Sequence, residues 1–147
     1  MCSPRRRTGR VGCGMLRWML IPAVVLGTEQ AARAEEGIAV PSGQPVQFLE
    51  VIRDARGPAG LTYRFRFVAP EIAKGDGAVD FETAAADMDA LCQEFALERV
   101  SGIGPKPAQI IISLASEETV FGDAAPEVTQ YFEAYRVEDG TCIWEGF

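Results

Sequence analysis

The clearest periodic signal runs from Val79 to Val100, where Phe81, Ala84, Ala85, Met88, Leu91, Cys92 and Phe95 recur at three- and four-residue steps. That spacing predicts an amphipathic helix with one apolar stripe, and it sends Asp87, Asp89, Glu94 and Glu98 toward water. Asp80 precedes the stripe and suits an N-cap, because its carboxylate can accept from the unpaired amides of the first turn. Upstream, Leu61 to Val68 (LTYRFRFV) alternates strictly. Leu61, Tyr63, Phe65 and Phe67 fall on one face, and Thr62, Arg64, Arg66 and Val68 on the other, as in a half-buried strand. Val46 to Arg53 is also rich in β-formers, and the turn-forming run Ala55 to Gly60 joins the two as an antiparallel hairpin.

Glu35 to Pro45 carries Pro41, Ser42, Gly43 and Pro45 and is expected to form a flexible lead-in. Residues 69–79 read as a loop, with Pro70 ending the strand. Beyond the helix, Ser101 to Pro107 is a stiff connector into Gln109 to Ala115 (QIIISLA), which is apolar on both sides and so expected at the centre of the sheet. Ser116-Glu117-Glu118 is turn material, and Thr119 to Phe121 is expected to pair briefly. Gln130 to Glu138 and Thr141 to Phe147 flank Asp139-Gly140, a pair whose tolerance of positive φ marks a two-residue hairpin. In that register Val137 opposes Cys142 and Tyr135 opposes Trp144, on the face that meets the helix. Val128, Tyr131, Phe132 and Tyr135 also fit helical spacing after Pro126, so 126–136 stays open between strand and short helix. The expected fold class is a two-layer α+β domain, an antiparallel sheet of about four to five strands with one main helix packed on one face. Ala134, Ile143 and Phe147 make the far face partly apolar, and the lead-in, residues 119–130 or a second copy of the chain are its candidate covers.

The amino terminus adds a compartment to this architecture. Arg5, Arg6, Arg7, Arg10 and Arg17 precede the apolar run Trp18 to Gly27, and Ala32-Arg33-Ala34 offers small residues where a signal peptidase reads. The run is too short to span a bilayer. Residues 1–34 are therefore expected to be an export signal, leaving 35–147 as a single domain in the periplasm or secreted. Met15 begins a complete signal by itself and is an alternative start, one that would leave Cys2 and Cys13 untranslated. No Phe-Leu-Lys-like residues follow the arginine run, which favours general secretion over the twin-arginine route.

The chain of 147 residues holds 14 basic and 21 acidic side chains, and six of the basic ones lie before residue 35 with Glu29 as the one acid there. The remaining body is strongly acidic and repels nucleic acid and anionic lipid. The absence of histidine removes the usual general base near neutral pH and the commonest metal ligand.

Cys92 and Cys142 are the two cysteines of the body. In an oxidising compartment, such a pair in a small domain forms a structural disulfide. Closing about 50 residues stabilises by roughly 4 kcal/mol on chain-entropy grounds. The close Cys-x-x-Cys spacing of a redox pair is absent. Thr62, Arg64 and Arg66 share a strand face that Arg136 joins from the last hairpin, a candidate anion or carboxylate site. The alternative is a solvated face whose arginines pair with neighbouring acids.

Gly102-Ile103-Gly104-Pro105-Lys106 lacks the Gly-Lys-Ser/Thr of a phosphate loop, and its prolines remove amide donors. Asp76, Asp80 and Glu82 lack the alternation of a calcium loop, so neither a metal site nor a cofactor is expected. Without histidine there is no ordinary Ser-His-Asp triad, and no Gly-x-Ser-x-Gly elbow occurs. Carboxylate-only catalysis, as in glycoside hydrolysis, stays open.

The stretches Ile38 to Val46 (IAVPSGQPV), Gly60 to Phe67 (GLTYRFRF) and Phe132 to Glu145 (FEAYRVEDGTCIWE) resemble a family of small exported alphaproteobacterial proteins of unknown function. The resemblance covers nearly all of 35–147, including the positions of Cys92 and Cys142. It implies an exported single domain and carries over no catalytic or binding residue. Members have been labelled acetolactate synthase. Export and a body too small to hold thiamine diphosphate between large domains argue against that activity here.

The function expected is a non-catalytic periplasmic interaction or binding module. The alternatives are a small carboxylate- or arginine-dependent enzyme and an envelope-associated accessory protein. The expected partner is a protein or a small ligand, with neither nucleic acid nor a membrane span after cleavage, and the open sheet face is a candidate homodimer surface.

Overall fold

A computed structural model describes residues 37–57 and 59–146. The expected export signal lies outside the described residues. Strands β1 (Gln47–Gly57) and β2 (Gly60–Val68) form the antiparallel hairpin read from the sequence. Pairing runs as far as Gly57 opposite Gly60, so the turn is tighter than the Gly- and Pro-containing run suggests.

The main helix, α1 (81–103), starts where Asp80 Oδ1 accepts from the Thr83 amide at 2.8 Å. It is α-helical over Phe81–Ala90, widens to π-helical turns over Leu91–Ala96, and returns to α-helix over Leu97–Ile103. On a regular α-helix a row of four-residue steps drifts around the axis. The wider turn, in which the Leu97 amide donates to the Cys92 carbonyl, takes up that drift. Met88, Cys92, Ala96 and Val100 consequently all stay buried.

The helix carries the chain back across the sheet, so β3 (Gln109–Ala115) runs parallel to β2, from Thr62 opposite Gln109 to Val68 opposite Ala115. Parallel neighbours require such a long crossover. The sheet is thus mixed, where a wholly antiparallel one was expected, because the connection is a helix and not a turn. Its order is β1-β2-β3-β4-β5, with the doubly apolar β3 at the centre. Strands β4 (Gln130–Glu138) and β5 (Thr141–Glu145) form the last hairpin, and of the ambiguous segment 126–136 the part from Gln130 onward is strand, with no helix in it. Asp139 (φ 49°) and Gly140 (φ 75°) make the turn, and Tyr135 opposes Trp144 as Val137 opposes Cys142. Two layers, five strands and one main helix give the expected α+β class.

Between the layers, Tyr63, Phe65, Phe67, Ile110, Ile112, Leu114 and Tyr135 meet Ala84, Met88, Leu91, Cys92 and Ala96. Phe95 packs among Phe48, Phe67 and Phe65, with ring centroids 5.1, 5.3 and 6.5 Å away. Residues 37–45 of the lead-in pack against the helix and do not behave as the flexible segment their composition suggests. The Ile38 amide donates to the Val46 carbonyl at 2.8 Å, and the loop so formed aims three donors at Asp87. These are the Ser42 amide at 2.8 Å, Ser42 Oγ at 2.6 Å and Gln44 Nε2 at 2.6 Å. Asp87 is therefore 0% exposed, although the helical wheel places it toward water, because the lead-in covers that flank.

On the far side of the sheet, Thr119 to Phe121 forms no strand. This segment instead lies over the β2 arginines, as one of the expected covers.

The sulfurs of Cys92 and Cys142 are bonded, with Cα atoms 6.2 Å apart across 50 residues. Beside them, Gln93 Nε2 donates to the Cys142 carbonyl at 2.8 Å, and the Cys142 amide donates to Gln93 Oε1 at 3.2 Å. The side-chain amide thereby occupies a ladder position on the outer margin of β5.

Candidate functional site

Along α1, Phe81, Ala85 and Asp89 follow one another at four-residue steps, so they form a single stripe facing the last hairpin. Across from that stripe stand Glu133 and Tyr135 of β4 and Trp144 of β5. Together with Glu82 they line an open groove of about 440 Å³. Ala85 keeps the groove wide, since no other side chain on the stripe is so small. Cys92 lies one helical turn beyond Asp89, and Cys142 two residues before Trp144. The disulfide therefore fixes the spacing of the two walls at one end.

The walls are aromatic and their tips are wet. Phe81 is 45% exposed and meets Tyr131 edge-on, with centroids 5.4 Å apart. Trp144 is 58% exposed yet anchored, because its Nε1 donates to Glu133 Oε2 at 2.6 Å. Glu133 itself is only 5% exposed. It belongs to the inward row of β4, opposite Ile112, between Tyr131 opposite Leu114 and Tyr135 opposite Ile110. Burial, with Asp89 and Glu133 nearby, pushes the Tyr135 phenol well above its ordinary value and keeps it protonated. Such a groove can hold an apolar body between aromatic faces while carboxylates meet a polar end. The lining residues include no Lys or Arg.

The candidate anion residues sit elsewhere, and the structure only partly gathers them. Arg64 and Arg66 lie under the Phe121 ring, each 5.7 Å from its centroid. Arg66 is engaged by Glu50 and, through Nη2, by the Thr119 carbonyl and hydroxyl at 2.7 Å each. Arg64 has a buried Nε with no hydrogen bond, and burial, with the like charge of Arg66 beside it, lowers the pKa of its guanidinium. Thr62 is buried and donates to the Gly60 carbonyl at 3.2 Å. Arg136 shares a row with Thr62 through Gln109 but turns to Glu138, 3.1 Å away.

Glu133 and Trp144 were not among the sequence candidates, although a signal for them existed. In the register that places Tyr135 and Val137 toward the helix, Glu133 is an acid at an inward position, where alternation calls for an apolar residue.

Among the described residues no three His, Cys, Asp or Glu side chains cluster as metal ligands, and no helix is long and apolar enough to cross a membrane. No curated protein and no solved structure matches the chain. One family profile does match, over residues 23–147, and it is described as a family of unknown function. On that match, the chain belongs to the DUF6497 family.

Proposed function

We propose that the protein is an exported, non-catalytic binding domain whose ligand seat is the groove between α1 and the β4–β5 hairpin. The leader-like pattern of residues 1–34 and the Cys92–Cys142 bond support export to an oxidising compartment. One observation carries the binding reading: a buried carboxylate, Glu133, is held by an exposed tryptophan at the side of an open groove. Burying an acid there costs stability and contributes little to the fold, so its place at a solvent-facing groove favours recognition.

The test is a fragment screen on the oxidised protein by two-dimensional NMR. Shifts concentrated at Phe81, Asp89, Glu133 and Trp144 are expected. Shifts concentrated around Arg64 and Phe121, or none in the groove across a chemically diverse set, overturn the assignment.

A further inference from the structure

We infer that the groove takes a small organic cation, an alkylated ammonium whose charged head lies against Trp144 and Glu133. This rests on the groove being a ligand seat and adds the chemical class of the ligand.

Three carboxylates line the groove, Glu82, Asp89 and Glu133, and none of them forms an ion pair among the described residues. Glu133 is the decisive one. A carboxylate 5% exposed ordinarily has a cation or several donors around it, since removing an anion from water is costly. Its hydrogen bonding among the described residues is the single contact from the Trp144 indole. The groove thus has surplus negative charge and lacks the positive charge that would balance it.

The rest of the lining chooses among cations. A metal ion would need oxygen or nitrogen ligands on several sides, whereas here Phe81, Tyr135, Trp144 and Ala85 supply mostly carbon. Aromatic faces attract a cation electrostatically and also welcome alkyl groups, and tryptophan does so best. A diffuse charge with methyl or methylene substituents matches both features. A volume of about 440 Å³ is ample for such a molecule.

The probe is choline, set against 3,3-dimethylbutan-1-ol, the neutral molecule of nearly the same shape in which carbon replaces nitrogen. Binding is followed on the Trp144 indole resonance, identified by its loss in Trp144→Phe. Choline is expected to bind at least about tenfold more tightly than the neutral molecule, the scale of a desolvated cation over an aromatic face. Glu133→Gln retains an acceptor for the indole N–H, so the fold is kept and the preference should collapse toward parity. Ala85→Leu, a good helix former that fills the groove, should abolish both responses.

Equal affinity for the two molecules overturns the cation assignment, as does an unchanged preference in Glu133→Gln. If neutral fragments still occupy the groove, the ligand-seat reading survives that result. If no probe or fragment perturbs Trp144, both fall.

Discussion

Asp87 and Asp89 lie two residues apart on one helix and have opposite fates. Asp87 is fully buried beneath three donors from the lead-in, while Asp89 faces the groove and solvent. Asp87→Ala should cost about 2–4 kcal/mol in urea unfolding, because it strands the Ser42 and Gln44 donors. Asp89→Ala should stay within about 0.5 kcal/mol. Local residue chemistry was legible where the partner is near in sequence: Asp80 capping Thr83, or Asp139-Gly140 turning a hairpin. Asp87 was not, since its partners lie more than 40 residues upstream and no helical wheel contains them.

A second residue-scale expectation concerns Tyr135. Its phenol holds its proton more tightly in the fold than in the unfolded chain. Once pH rises past the ordinary value of 10.0, the unfolded chain releases that proton and the folded one does not, so stability falls. Urea midpoints taken across that pH should decline in the native protein, and decline less in Tyr135→Phe.

At the scale of elements, a disulfide and a tyrosine hydrogen bond are among the contacts that hold the helix and its exit to the sheet. The Cys92–Cys142 bond joins α1 to β5. Reduction, or Cys92→Ala with Cys142→Ala, should lower unfolding free energy by up to about 4 kcal/mol, read as a fall in Tm against the oxidised protein. The helix exit depends on Gly104, at φ 155°, where an added Cβ would come within 2.6 Å of the Tyr63 hydroxyl. That hydroxyl donates to the Pro105 carbonyl at 2.7 Å, tying the connector to β2. Gly104→Ala should therefore destabilise by about 1–3 kcal/mol in the same assay.

Element types were legible because alternation and helical spacing are local. The parallel pairing of β2 with β3 was not, since it depends on where a crossover helix delivers the chain. The candidate site was least legible: Glu133 and Asp89 are 44 residues apart, joined only once α1 lies beside β4.

For the whole molecule, the expectation is an exported chain matured by cleavage and oxidation. Intact mass spectrometry of material from the cell envelope should give residues 35–147, lighter by two hydrogens than the reduced form. A chain retaining the apolar run Trp18 to Gly27 would contradict cleavage, and a free-thiol mass would contradict the crosslink. The family match over 23–147 includes every residue of the groove and the bonded pair Cys92 and Cys142.

The Gln93 side chain has one more consequence, for how copies of this chain behave when crowded together. An unsheltered β margin invites a neighbouring molecule to add its own strand, the first step toward fibrous aggregates. At Cys142 both main-chain groups are already occupied by the glutamine amide, held in place by the adjacent disulfide. A strand from another copy would have to displace an intramolecular mimic of itself at this position, so Gln93 and the disulfide blunt the β5 margin at Cys142.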